Sequence, residues 1–187
     1  LCCLCNSTIM AHINPMEFEH ISLEQGLSQS SVNCITKDSR GFLWFGTEDG
    51  LNRFDGYNFK VYKQDAEDSG SINNNTLYTI YEDGNGDLWI GTWNGGLNRY
   101  DRETDTFTHY KHDPNNPNSI NSNTVYSIFE DNSGVLWIGT WNGGLNRYDR
   151  ETDTFTHYEH DPNNPYSISS NTITCIVQDN SQNLWIG

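Results

Sequence analysis

Apolar and polar positions along this chain do not follow helical spacing. They form short runs rich in β-branched and aromatic residues, broken every few positions by Gly, Asn, Asp and Pro. The clearest unit begins at Thr124, where Thr124 to Phe129 (TVYSIF) predicts a first strand. A turn follows at Asp131-Asn132-Ser133-Gly134, then a second strand at Val135 to Thr140 (VLWIGT). Asn142-Gly143-Gly144 predicts a tight hairpin, because these residues tolerate positive φ. A third strand spans Leu145 to Asp149, a turn lies at Arg150-Glu151-Thr152-Asp153, and a fourth strand starts at Thr154 and ends at His157 or Tyr158. The second strand is apolar on both faces, with Leu136 and Ile138 on one and Trp137 on the other. Such a strand belongs to a sheet covered on both sides, since a sheet wetted on one side would alternate.

The unit repeats. Leu88 to Tyr110, LWIGTWNGGLNRYDRETDTFTHY, recurs letter for letter at Leu136 to Tyr158. Trp89, Trp137 and Trp185 are spaced by 48 residues, and Trp44 lies 45 residues before Trp89 in the looser LWFGTEDGLNRFDG. Four short strands per period of this length predict a β-propeller blade; a parallel β-helix has a much shorter period. The expected fold is therefore all-β, a partial propeller of about three and a half four-stranded blades. The blades are bounded at 31–75, 76–123 and 124–171, with a partial one at 172–187. Trp44, Trp89, Trp137 and Trp185 are expected as buried core residues at equivalent places, each against the neighbouring blade.

The pattern HDPNNPxSIxxNTxxxIxxDxxGxLWIGTxxGGLNRYDxxTxxFxxY resembles the two-component-regulator propeller repeat, from about Phe18 to Gly187. The resemblance implies an extracytoplasmic, membrane-anchored sensor segment of a hybrid histidine kinase, many of which control polysaccharide use. It implies partners in the rest of the polypeptide, namely further blades and a kinase region; a homodimer of the full-length protein is a separate expectation. The family's kinase, receiver and DNA-binding parts have no counterpart in these residues, so their activities do not transfer.

Phe18-Glu19-His20-Ile21 aligns with Phe107-Thr108-His109-Tyr110, a fourth strand. Phe18 to Ser22 is thus expected to be a closing strand, within a lead-in over 12–30. Leu1 to Ala11 (LCCLCNSTIMA) has no charge and resembles the end of a secretory signal peptide.

Ten Lys and Arg against 25 Asp and Glu give a net charge of −15. That disfavours nucleic acid, whose binding rests on cationic side chains, and anionic membrane surfaces. Cys2, Cys3 and Cys5 fall in the leader. Cys34 and Cys175 precede the turn residues Asp38 and Asp179 by four positions, where the middle units have Thr79 and Ser127. The position therefore asks for a small side chain, and the two cysteines fall too far apart for a disulfide.

Several groups look like chemistry. His109-x-x-His112-Asp113 and His157-x-x-His160-Asp161 have metal-like spacing, but residues three apart on a strand point to opposite faces, so they read as polar strand ends. Asp83-x-Asn85-x-Asp87 begins like a calcium loop, yet Leu88 and Asn94 stand where an EF-hand has Gly and Glu; it reads as an Asp turn. Arg99 with Asp101, and Arg147 with Asp149, share strand faces and are expected to form ion pairs. No cofactor is expected, and no carboxylate is singled out for catalysis. Trp93 and Trp141 flank the tight turns beside Asn94 and Asn142. Aromatic faces next to amides suit a sugar ring; packing between blades accounts for them equally well. The candidate ligand site is Trp93, Asn94, Trp141 and Asn142, on the face shared by the second hairpins and the inter-blade loops. The expected function is a saccharide sensor. The alternatives are a propeller scaffold for protein partners and, less expected, a propeller glycosidase or lyase.

Overall fold

The computed structural model describes residues 20–187. The leader and Phe18 and Glu19 lie outside the described residues. His20 to Ser22 are not in a strand; Ser22 instead caps a short 3₁₀ turn, Leu23–Gln25. The closing strand is thus not formed over the described part of its expected span.

Among the described residues, fourteen strands make three four-stranded antiparallel sheets and one two-stranded sheet. The first sheet is β1 (Val32–Lys37), β2 (Leu43–Thr47), β3 (Leu51–Phe54) and β4 (Phe59–Tyr62). The second is β5 (Leu77–Glu82), β6 (Leu88–Thr92), β7 (Leu97–Asp101) and β8 (Thr106–Tyr110). The third is β9 (Val125–Glu130), β10 (Leu136–Thr140), β11 (Leu145–Asp149) and β12 (Thr154–Tyr158). The fourth pairs β13 (Ile176–Gln178) with β14 (Leu184–Ile186). Each sheet is a meander in chain order, and the first strands β1, β5 and β9 lie beside one another. These are propeller blades arranged around an inner edge of first strands.

The glycine of each LWIGT strand sets how closely the blades stack. A Cβ on Gly91 would lie 2.6 Å from Thr79 Cγ2 and 2.7 Å from Val125 Cγ1 of the next blade. On Gly139 it would lie 2.4 Å from Ser127 Oγ and 2.7 Å from Ile173 Cγ2. Cys34, Thr79 and Ser127 pair with Gly46, Gly91 and Gly139 across the first two strands, which is why a small side chain is required there.

The tryptophans fill the space between blades in two of four cases. Trp44 and Trp89 are fully buried, beneath Tyr100 and Tyr148 of the following sheet at ring distances of 5.2 and 5.1 Å. Trp137 is only half-buried and Trp185 is 62% exposed, contrary to the sequence expectation. The cause is the neighbour: Trp137 faces a sheet with no third strand, and no sheet follows Trp185 among the described residues.

The arginine ion pairs reach across blades as well as within them, and none of those among the described residues runs along a third strand. Arg102 donates to Asp38 of the preceding blade (2.7 Å), to Glu82 (2.7 Å) and to the Gly86 carbonyl (3.1 Å). Glu82 in turn accepts from the Ser39 hydroxyl at 2.8 Å. Arg150 repeats the arrangement with Asp83 and Glu130, both at 2.9 Å. The expected Arg99–Asp101 and Arg147–Asp149 pairs are not formed. Asp101 and Asp149 accept backbone N–H bonds in their own turns, and the Arg99 guanidinium lies 5.7 Å over the Trp89 ring. The Asp83 turn does act as expected: its carboxylate accepts from the N–H groups of Asn85 and Asp87, both at 3.0 Å.

Candidate functional site

Antiparallel order puts the second hairpins and the inter-blade loops on one face, and the backbone bonds between them fix their positions. Trp93 N–H donates to the Thr76 carbonyl (2.9 Å), while Gly96 N–H donates to Asn123 of the next lead-in (2.7 Å). Trp141 and Gly144 repeat this with Thr124 (3.0 Å) and Asn171 (2.8 Å). Asn94 and Asn142 adopt φ of 59° and 57°, the left-handed conformation that a tight turn demands and Asn tolerates. Their backbone N–H groups reach Thr124 Oγ1 (3.1 Å) and Thr172 Oγ1 (3.4 Å). Each hairpin is thus tied to two lead-ins, and its tryptophan projects from a fixed base.

Trp93 and Trp141 are each 46% exposed. Their aromatic partners are tyrosines of their own sheets. Trp93 meets Tyr78 edge-on at 5.9 Å, and Trp141 meets Tyr126 at 5.9 Å. Tyr78 and Tyr126 then touch each other at 4.9 Å. The four rings form one continuous row, Trp93–Tyr78–Tyr126–Trp141, across two blades. The Asn142 amide oxygen accepts from Thr172 Oγ1 at 3.3 Å, and the Asn94 side chain has no partner among the described residues. The structure therefore brings all four candidate residues onto one surface. Tyr78 and Tyr126 were missed from the sequence because an aromatic in a first strand reads as core. The available signal was their identical place, third in TLYTIY and TVYSIF.

The row has an acidic end. Glu48 occupies the hairpin place that Trp93 and Trp141 hold in the next blades, and its carbonyl accepts from Thr76 Oγ1 at 3.4 Å. Burial pushes the Tyr78 hydroxyl pKa up, and the neighbouring Tyr126 and the Glu48 charge add to it.

The other candidate groups are structural. His109 and His157 bond through Nε2 to the loop carbonyls of Ser71 (2.7 Å) and Ser119 (2.6 Å). His112 and His160 bond through Nδ1 to Ile120 (3.1 Å) and Ile168 (2.8 Å). All four pin inter-blade loops. The described residues contain no group of three or more His, Cys, Asp or Glu placed to hold a metal ion. Three clefts lie away from the aromatic row. One of about 410 Å³ on the turn face is lined by Arg40, Asn85, Arg99 and Glu103. Two rim clefts of about 230 and 240 Å³ sit beside Tyr62–Asp105 and Tyr110–Asp153, hydrogen-bonded pairs at 2.8 and 2.9 Å that join neighbouring blades.

Comparison with known proteins places this geometry. The two-component regulator propeller repeat matches at residues 26–49, 71–94, 119–142 and 167–187. The extracellular domain of the hybrid two-component system BT3049 from B. thetaiotaomicron superposes with a TM-score of 0.82 at 36% identity, over 90% of this chain and 23% of that one. The extracellular domain of BT4673 from the same organism superposes with a TM-score of 0.74 at 30% identity, over 91% of this chain and 24% of that one. Histidine kinase P4 of Formosa agariphila is 54% identical over 55 residues, 29% of this chain and 4% of that protein. The chain thus spans less than a quarter of each of these relatives.

Proposed function

Since the chain belongs to the two-component regulator propeller family, we propose that it is the ligand-receiving part of a membrane-anchored sensor. It lies outside the cytoplasm, binds a saccharide on its loop face and signals to a kinase region elsewhere in the polypeptide. The extracellular origin of the two similar domains supports the location. No helix among the described residues is long and apolar enough to cross a membrane. In this reading the segment binds and does not catalyse.

The observation that carries the ligand reading is the row Trp93–Tyr78–Tyr126–Trp141. Exposed ring faces stack on the apolar faces of sugars, and the Asn94 and Asn142 amides take the hydroxyls. The row stands on hairpins fixed by backbone bonds, so binding needs little ordering of the site. The test is calorimetry of the whole sensor domain against an oligosaccharide panel, with the Trp93→Ala/Trp141→Ala variant alongside. The expected outcome is loss of binding with a melting temperature nearly unchanged, because both rings are half-exposed. Survival of binding in the variant would place the site elsewhere; sugar turnover would mean an enzyme.

A further inference from the structure

Resting on the loop-face reading above, we infer that this site selects uncharged oligosaccharides and rejects those bearing carboxylate or sulfate groups, with Glu48 as the specificity-determining residue. The first observation is the sidedness of the arginines. Arg is the side chain suited to carboxylates and sulfates, through its planar pair of N–H donors. All six arginines of the described residues lie away from the aromatic row. Arg102 and Arg150 bridge blades at the third turns, and Arg40 sits in a first turn. Arg99 and Arg147 line clefts on the turn side. Arg53 stacks on Phe42 at 4.9 Å.

The loop face offers two lysines instead, both at the ends of fourth strands, beside the hairpin glycines Gly50 and Gly96. Lys63 is paired with Asp49 at 2.7 Å. That leaves Lys111 as the one loop-face cation without a carboxylate partner among the described residues. The four histidines on this side have ring nitrogens engaged with carbonyls. Against them stand Glu48 at the end of the row, Asp49 beside it, and Glu159 bonded to the Asn121 amide.

The second observation is the substitution pattern of one hairpin place: Glu48, in a hairpin one residue shorter, follows the second strand of its blade as Trp93 and Trp141 follow theirs, and Gly50 N–H, like those of Gly96 and Gly144, donates to the next lead-in. The row therefore ends near a carboxylate, whose charge bears on the Tyr78 hydroxyl. A neutral sugar lying along the row meets at that end an acceptor for its hydroxyls. A uronate or sulfate meets a like charge, and the net charge of −15 adds a long-range repulsion that slows its approach.

The test is binding of the complete sensor to a glycan array that carries neutral and anionic members, followed by titration of length-matched neutral and uronate-bearing hits. Neutral glycans are expected to bind and anionic ones to fall below detection at low salt. Glu48→Gln should shift the ratio of uronate-bearing to neutral affinity roughly tenfold toward the uronate-bearing glycan, and added salt should narrow the gap in the unsubstituted protein. Tighter binding of anionic glycans that still depends on Trp93 and Trp141 would overturn the selectivity and leave the site standing. An unchanged neutral-to-anionic ratio in Glu48→Gln would remove Glu48 as its cause. Glycan binding that ignores the tryptophans, or no glycan binding at all, would sink the loop-face reading itself.

Discussion

Replacing Arg102 with Met tests whether the inter-blade bridge is structural glue. The change keeps the stem of the side chain and removes three hydrogen bonds, to Asp38, Glu82 and the Gly86 carbonyl. The Asp38 side chain is fully buried and Arg102 only 11% exposed. Removing one member of a buried pair costs about 3–5 kcal/mol, chiefly because it strands the other charge. Here Asp38 keeps the Trp44 indole N–H (2.8 Å) and the N–H groups of Arg40 (3.0 Å) and Phe42 (2.9 Å), so the lower end applies. The expected loss is about 3 kcal/mol, or roughly 6–12 °C in melting temperature for a chain of this size. The acid limb gives a second readout. Burial pushes the Asp38 carboxyl up; the bonds from Arg102, Trp44 and Phe42 together outweigh it and hold the carboxyl below its ordinary value. A depressed carboxyl contributes stability above its unfolded pKa and loses it as pH falls through the lower, folded one. Arg102→Met leaves burial less opposed, so acid unfolding should begin at higher pH. Urea titrations over a pH series, with Asp38→Asn completing a double-mutant cycle, measure both effects. A coupling energy below about 0.5 kcal/mol, together with an unmoved acid midpoint, would refute the bridge as a source of stability.

Two further outcomes follow from burial. Trp89→Ala should cost about 3–5 kcal/mol in urea unfolding and Trp137→Ala less, because Trp89 is fully enclosed and Trp137 is not; equal losses would mean the following sheet does not matter. In alkylation followed by peptide mapping at pH 8, Cys175 should label and Cys34 should not, since burial pushes the Cys34 thiol up to about 12 and Cys175 is exposed; fast labelling of Cys34 in the native state would contradict its place against Gly46.

The strands were legible because the repeat states them more than once. TVYSIF and VLWIGT were placed within a residue of β9 and β10, and the third strand Leu145–Asp149 matches β11. The face shared by hairpins and lead-ins followed from antiparallel order alone. What the sequence hides is the offset between sheets. Arg99 and Asp101 share a face, so pairing looked natural, yet the cation that reaches a carboxylate is Arg102, and its partner Asp38 lies 64 residues back. Nothing within one blade encodes that partner. Burial of the tryptophans is hidden for the same reason: Trp89 and Trp137 sit in identical strings and differ in exposure because different sheets follow them. Tyr78 and Tyr126 went unread because strand propensity and recognition both favour Tyr, and only the contact between neighbouring first strands separates the two.

Identical middle blades argue against a private pocket, since two copies of one surface cannot each be unique. They suit a ligand that repeats as well. On the proposed reading, Trp93 and Trp141 are two copies of one subsite, joined by the Tyr78–Tyr126 contact at 4.9 Å. A sugar long enough to reach both turns the second contact into an intramolecular one, whose gain is set by effective concentration rather than by any new bond. Affinity should then rise with oligomer length, on the order of 100-fold from a disaccharide to a chain spanning both tryptophans, and level off beyond it. Trp93→Ala and Trp141→Ala singly should each erase that length dependence while leaving disaccharide binding within about twofold. Calorimetry over a length series measures this directly. Affinity that ignores length in the unmodified protein, or that vanishes with one substitution and not the other, would mean the two blades do not act as a pair and that one private site does the binding.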